Sequence, residues 1–263
     1  MPNFDTLLVE ERGAHVRVVR MNRPDSANAL NTQMGRDLIS FFEDVALAPE
    51  APRCIVLSGS GAKAFCAGGD LKERNNMSDQ AWSAQHAIFE RMARAIIACP
   101  APIIGAVNGA AYGGGCEVAA CCDFLYAADH ARFALTEVTL GIMPGAGGTQ
   151  NLPRAVGQRR ALELILTGRP FGAEDALRWG FVNAVFPAGS LLDEALATAD
   201  RIAANAPIAT RQAKQSVVRG LQMSVADGLA FEIEAYNRMV PTEDRREGIA
   251  AFNEKRPPVF KGR

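Results

Sequence analysis

The sequence is poor in the side chains that most often carry metal and hydrolytic chemistry. Its three histidines, His15, His86 and His130, are scattered with no H-x-x-x-H spacing, which argues against a zinc site and leaves little from which to build a His-based triad. No C-x-x-C pair occurs among the six cysteines, Cys54, Cys66, Cys99, Cys116, Cys121 and Cys122. Two are adjacent and most sit among Ala, Val, Ile and Gly, so they read as small buried hydrophobes of a reducing, cytoplasmic compartment. There is no charge excess: the formal net charge of -1 gives no basic surface for nucleic acid or an anionic membrane. No apolar run approaches the roughly 18 residues of a membrane span. The opening MPNFDTLLVEERG has an early aspartate and no basic-then-apolar pattern, so no signal peptide is expected. No repeat or low-complexity tract is visible.

What is present is glycine and an α/β rhythm. The 263 residues fit one large domain, or one domain with a smaller appendage. LLVEERG and AHVRVVRM predict a hairpin around Gly13. Thr32 is placed to cap a helix carrying Met34, Leu38, Phe41, Phe42 and Val45, closed by Pro49. Ser78 is placed to cap a second helix, with Ile88, Phe89, Met92, Ile96 and Ile97 on one stripe and Pro100 beyond it. RCIVLSGSG, PIIGAVNG and DFLYAA read as strands and GGGCEVAACC as a short buried helix. Strands covered by helices imply an α/β core over residues 1–190. From about Leu191 successive amphipathic helices, with start signals at Pro207, Ser224 and Thr242, imply a helical C-terminal region over 191–263, and VNAVFP is the last strand signal.

Three glycine-rich loops stand out: AFCAGGDLKE (64–73), NGAAYGGGCEVAA (108–120) and LTEVTLGIMPGAGGTQ (135–150). None is a phosphate cradle. The third lacks the Gly-Lys-Ser/Thr of a P-loop, and none gives G-x-G-x-x-G. Taken singly, each can be a chain turn and nothing more. The company they keep says otherwise. Glu117 and Glu137 each lie in a mostly apolar segment beside such a loop, and no Arg or Lys lies within a helical turn of Glu117. A buried carboxylate is costly unless paired or protonated. Glycine loops let backbone N–H groups converge on a ligand oxygen, and a helix starting at Gly114 adds its N-terminal dipole. Two carboxyl groups in an apolar pocket can hold different protonation states, one acid and one base. Together these parts can stabilise an enolate and handle water and a proton beside it.

At this point AFCAGGDL, NGAAYGGGCEVAACCD and TEVTLGIMPGAGGTQNLPRAVG resemble the signature segments of the enoyl-CoA hydratase/isomerase (crotonase) family, and RPDSANALN and EGIAAFNEKRPPVF resemble its coenzyme A-binding segment and C-terminal helix and tail. The resemblance covers essentially the whole chain in order. It implies a crotonase-like α/β spiral of ββα units with a helical C-terminal region, assembled as a homotrimer or a dimer of trimers. It implies an acyl-CoA thioester substrate, so that coenzyme A is part of the substrate and no separate cofactor or metal is expected. By position in the motifs, Gly69 and Gly114 correspond to the two oxyanion donors. Backbone around Ala27, Ala29, Ala67, Gly68, Asp70 and Leu71 corresponds to the coenzyme A contacts, and Gly145 to the glycine near the catalytic water. Both glutamates of the hydratases are present as Glu117 and Glu137. The implied activity is syn hydration of a 2-enoyl-CoA in fatty-acid β-oxidation. The alternatives are another crotonase reaction, such as enoyl-CoA isomerisation or dehydration of a specialised hydroxyacyl-CoA, or a non-catalytic RNA-binding member.

Two positions depart from the family pattern: Tyr112 stands where leucine is common, with an expected effect on pocket shape, and Gly69 where alanine is common, with none on a backbone donor. The pocket wall is expected within 72–95, where Trp82 and Phe89 read first as helix-core packing. The basic tail EKRPPVFKGR reads as a solvated end or a contact to the coenzyme A phosphates.

Overall fold

The computed structural model describes residues 3–48 and 51–263. Among the described residues ten strands form two sheets. The larger is built from β1 (Leu7–Arg12), β2 (Val16–Met21), β3 (Cys54–Gly59), β5 (Ile103–Val107), β7 (Phe124–Ala128) and β10 (Ala184–Phe186), in that spatial order. The β1/β2 pair is the antiparallel hairpin read around Gly13; every other pair in this sheet is parallel. The smaller sheet runs β4 (Ala64–Cys66), β6 (Ala110–Tyr112), β8 (Arg132–Ala134) and β9 (Phe171–Gly172), with the first three parallel and β9 antiparallel to β8. The chain therefore winds: β3 then β4, β5 then β6, β7 then β8, each turn placing one strand in each sheet before a helical segment returns it. The strands of the larger sheet were legible as apolar runs. The three-residue strands of the smaller sheet were not.

The helices are α1 (Thr32–Leu47), α2 (Leu71–Arg74), α3 (Asp79–Ala98), α4 (Gly114–Ala120), α5 (Gly148–Val156), α6 (Gln158–Thr167), α7 (Ala173–Arg178), α8 (Leu191–Ala203), α9 (Pro207–Gly220), α10 (Val225–Asn237) and α11 (Glu243–Asn253). In α1 the cap is Asn31, whose side chain accepts the Met34 N–H, and Thr32 is the first helical residue rather than the cap. The expected stop at Pro49 lies outside the described residues. All five apolar residues read onto the α1 stripe are buried. Ser78 caps α3 through the Ala81 N–H, and Phe89, Met92 and Ile96 face the core; Ile97, read into the same stripe, is 40% exposed. Ser224 and Thr242 cap α10 and α11, and Pro207 opens α9.

The change of texture near 190 marks the last strand, not a change of packing. Helix α8 lies on the larger sheet through Leu191, Ala195, Leu196, Ala199 and Ala203, all members of the same apolar core as β3 and β5. The helices beyond it are tied to the spiral by polar links. Lys214 Nζ meets Asp123 Oδ2 at 2.7 Å and donates to the Ala101 carbonyl at 2.9 Å. The basic tail is largely exposed, as read, but its end is anchored through its backbone: Asp244 accepts the Lys261 and Gly262 N–H groups at 2.6 and 2.8 Å, and Arg53 donates to the Phe260 carbonyl. Among the described residues no helix is long and apolar enough to cross a membrane.

Candidate active site

The smaller sheet explains where the site lies. Strands β4, β6 and β8 are parallel, with Ala64 opposite Ala110, Cys66 opposite Ala111 after a one-residue irregularity in β4, and Ala110 opposite Arg132, so their carboxyl ends share one edge. From that edge leave the segments carrying Gly68–Gly69, Gly113–Gly114 and Glu137. Ligands of parallel α/β sheets gather at this end of the strands. Here the segments enclose a cavity of about 570 Å³ lined by Ala67, Gly68, Gly69, Leu71, Gly114, Glu117, Glu137 and Gly145 among others. Three loops separated by tens of residues in the sequence thus become one wall.

Two glycines allow the close approach. Gly68 has φ +95°, and a β-carbon on it would lie 2.7 Å from the Tyr112 carbonyl oxygen. A β-carbon on Gly115 would collide with the Cys66 carbonyl, so α4 can close on β4 only with glycine there. The result is a pair of neighbouring amides. Neither the Gly69 nor the Gly114 N–H donates to a backbone acceptor among the described residues. A β-carbon on Gly114 would lie 3.8 Å from the Gly69 nitrogen.

The two glutamates stand in unlike surroundings. Glu117 is 3% exposed, and its Oε1 accepts two N–H groups, from Ala146 and Gly148, each at 2.8 Å. Burial pushes its carboxyl above the usual range, and those amides, at the start of α5, pull it back toward the ionised form. Glu137 is 8% exposed and neither carboxyl oxygen has a hydrogen-bond partner among the described residues. Burial, with Glu117 adding to it against the opposing charge of Arg74, raises Glu137 to about 7. Glu117 thus stands above its ordinary value despite two amide donors, and Glu137, with no donor among the described residues, rises further, to about 7.

The remaining expected residues separate into wall and buttress. Ala27, Ala29 and Asp70 do not line the cavity. Segment 27–30 runs alongside the first glycine loop, with the Ala67 N–H donating to the Ala27 carbonyl, the Leu30 N–H to Gly68 and the Asp70 N–H to Leu30. Ala27 and Asn28 both take left-handed φ, 50° and 55°, an unusual conformation for side-chain-bearing residues. The buried Asn28 side chain holds that turn by donating to the Ser60 and Ala64 carbonyls. Asp70 caps α2 through the Lys72 and Glu73 N–H groups and pairs with Arg23 at 2.8 Å. Tyr112 is not among the lining residues; its carbonyl stands behind Gly68 of the wall. Trp82 corrects the core-packing expectation: it lines the cavity and lies outside the apolar core, whereas Phe89 belongs to both.

Several lining residues escaped sequence reading. Arg74 sits in LKER, which looks like a solvated charged run. Its guanidinium instead lies over the Trp82 ring at 4.3 Å. His86 packs its ring against Gly145, and Leu140, Ile142, Met143 and Pro144 also line the cavity. The cysteines are unbridged; burial pushes the thiols of Cys54, Cys66 and Cys121 up to about 12, leaving them inert at neutral pH.

Comparison with known proteins agrees with this geometry. The family described as enoyl-CoA hydratase/isomerase matches residues 11–263. The mitochondrial enoyl-CoA hydratase of Pongo abelii is 40% identical over 265 residues, covering 98% of this chain and 89% of the relative. The 2,3-dehydroadipyl-CoA hydratase of Escherichia coli (strain K12) is 38% identical, covering 97% and 99%. A crystal structure of an enoyl-CoA hydratase from Bacillus anthracis matches with a TM-score of 0.96 at 40% identity, over 98% of this chain and all of the other.

Proposed function

This chain belongs to the enoyl-CoA hydratase/isomerase family, and from that premise we propose that it is an enoyl-CoA hydratase, a hydro-lyase that adds water reversibly across the C2=C3 bond of a 2-enoyl-CoA. The observation that carries the proposal is the pairing of two unlike carboxyls with two adjacent, unpartnered amides on one cavity wall. The thioester oxygen accepts from the Gly69 and Gly114 N–H groups. Glu117, ionised, takes a proton from water as its oxygen attacks C3. Glu137, protonated, gives its proton to C2. The amides carry the enolate charge between these events, and one such donor is typically worth about 3–4 kcal/mol at the transition state. Coenzyme A enters as part of the substrate, along the 27–30 and 67–71 segments, and no separate cofactor or metal takes part.

Two unlike carboxyls favour hydration over isomerisation, since a proton shuttle for a double-bond shift needs only one. The test is a panel of 2-enoyl- and 3-enoyl-CoAs with product identification. Wild-type protein forms the 3-hydroxyacyl-CoA from crotonyl-CoA, and Glu117→Gln and Glu137→Gln each lose at least about 10²-fold while still binding coenzyme A thioesters. Hydration near wild-type rates by either variant refutes the assignment. A cytoplasmic trimer or dimer of trimers completes the proposal. Its support is the run of exposed apolar side chains on the C-terminal helices, Leu221, Leu229, Ile233 and Phe252 among them, and the six unbridged thiols. Light scattering tests the assembly.

A further inference from the structure

The cavity contains a cation that takes no part in the bonds made and broken in hydration. Arg74 projects from α2 into a wall made largely of Leu71, Trp82, Phe89, Leu140 and Ile142. Its position is fixed from behind. Nε donates to Gln85 Oε1 at 2.7 Å, and the Gln85 amide cannot turn over because its Nε2 donates to Thr32 Oγ1 at 2.9 Å and Glu73 Oε2 at 2.7 Å. Gln85 itself is 3% exposed. The guanidinium also stacks on aromatic faces, 4.3 Å from Trp82 and 5.4 Å from Phe89. No carboxylate among the described residues forms an ion pair with it; Glu73, Glu117 and Glu137 act only at longer range.

A guanidinium held by one edge and stacked on its face presents its two terminal nitrogens as a fork. That fork matches a carboxylate, with two parallel N–H donors to two oxygens. Half-burying it against apolar side chains without an anion is costly. We propose that Arg74 determines acyl specificity by receiving a carboxylate at the far end of the acyl chain, so that the preferred substrate is a short 2-enedioyl-CoA rather than a simple fatty enoyl-CoA. Distance sets the chain length. A β-carbon on Gly69 would lie 3.2 Å from Arg74 Nη1, so the fork stands beside the amide assigned to the thioester oxygen. A carboxylate that reaches it is only a few carbons from the thioester. A long alkyl chain would have to displace the guanidinium from its stack.

The assignment rests on the hydratase reading of the cavity, and binding separates the two. Glutaryl-CoA and pentanoyl-CoA, saturated and unreactive, are titrated into wild-type protein and into Arg74→Met and Arg74→Lys by calorimetry. Wild type binds glutaryl-CoA at least about tenfold more tightly, the range of a hydrogen-bonded charge. Arg74→Met abolishes the preference, and Arg74→Lys, which keeps the charge but not the fork, retains part of it. No preference in wild type, which needs no variant to fold, overturns the proposal, as does a preference that survives in Arg74→Met. In parallel, hydration of glutaconyl-CoA is compared with that of 2-pentenoyl-CoA. A glutaryl preference without turnover of either enoyl-CoA leaves the carboxylate site standing and removes the hydratase reading. Turnover of 2-pentenoyl-CoA with no glutaryl preference does the reverse.

Discussion

Raising the pH through neutrality should switch the enzyme off in both directions at once. Glu137 is the group that sets this limit, because burial among unpartnered surroundings raises it to about 7. Forward hydration needs Glu137 protonated and Glu117 ionised. Reverse dehydration needs the proton on Glu117 and Glu137 ionised. These are two arrangements of the same singly protonated pair, so both directions depend on the same population. Water addition neither consumes nor releases a proton, so the two values of kcat/KM must also keep a constant ratio. Above about 7 each falls tenfold per pH unit, leaving about 1% at pH 9. The assay is loss of enoyl-thioester absorbance with crotonyl-CoA, and its gain with 3-hydroxybutyryl-CoA, between pH 6 and 9.5. A Glu137→Gln enzyme, whose residual rate lies about 10²–10⁴-fold lower, should lose this limb and run flat. A wild-type kcat/KM that stays level to pH 9, or a limb seen in one direction only, refutes the reasoning.

The same carboxyl shapes stability with the opposite sign from an ordinary glutamate. Its folded-state value lies above the ordinary 4.5, so the folded protein keeps a proton the unfolded chain gives up, and stability falls as pH rises from 4.5 to about 7. Glu137→Gln escapes that loss, and urea melts at pH 8 should show it roughly 1–2 kcal/mol more stable than wild type after allowance for solvent screening, with no advantage at pH 4. Gly115→Ala pushes a methyl into the Cys66 carbonyl and should cost at least about 2 kcal/mol in the same melts, with loss of thioester binding as α4 lifts from β4. Lys214→Met strands the Asp123 carboxylate between α9 and the larger sheet. It should cost about 2–3 kcal/mol and loosen the C-terminal helices to proteolysis, while Asp123→Asn in that background recovers part of the loss.

The site was legible in the sequence where chemistry and backbone freedom coincide. A glutamate amid small apolar residues, or two glycines before an aspartate, violates the ordinary rules of a core, and such violations point to function. Gly69, Gly114, Glu117, Glu137 and Gly145 could be read in this way, and the structure brings all five to one cavity. Arg74 and His86 could not. Each lies in a segment that satisfies every local rule of a solvated helix surface; only contacts distant in sequence, Arg74 with Gln85 and Trp82 and His86 with Gly145, bring them to the cavity. The smaller sheet was hidden for a related reason. Strands of three residues, such as Ala110–Tyr112, carry too little pattern for a period of two to emerge. Asp70 shows the converse: it stands within a recognised motif, but its side chain is occupied with capping α2 and pairing Arg23, and its N–H and carbonyl with Leu30 and the Arg74 N–H.

The neighbouring amides of Gly69 and Gly114 have a consequence for how such a protein changes over generations. They belong to the main chain, so no codon change short of proline deletes them, and the glycines that bring them together are guarded by the folding of the spiral itself. On the proposed mechanism, charge stabilisation at a thioester oxygen is therefore inherited with the fold. The side chains facing it are free to vary one at a time: a glutamate lost at 117 or 137, an arginine gained or lost at 74. Each such change would leave the two amides in place, so under the proposed mechanism it alters the reaction or the substrate without removing the means of holding an enolate.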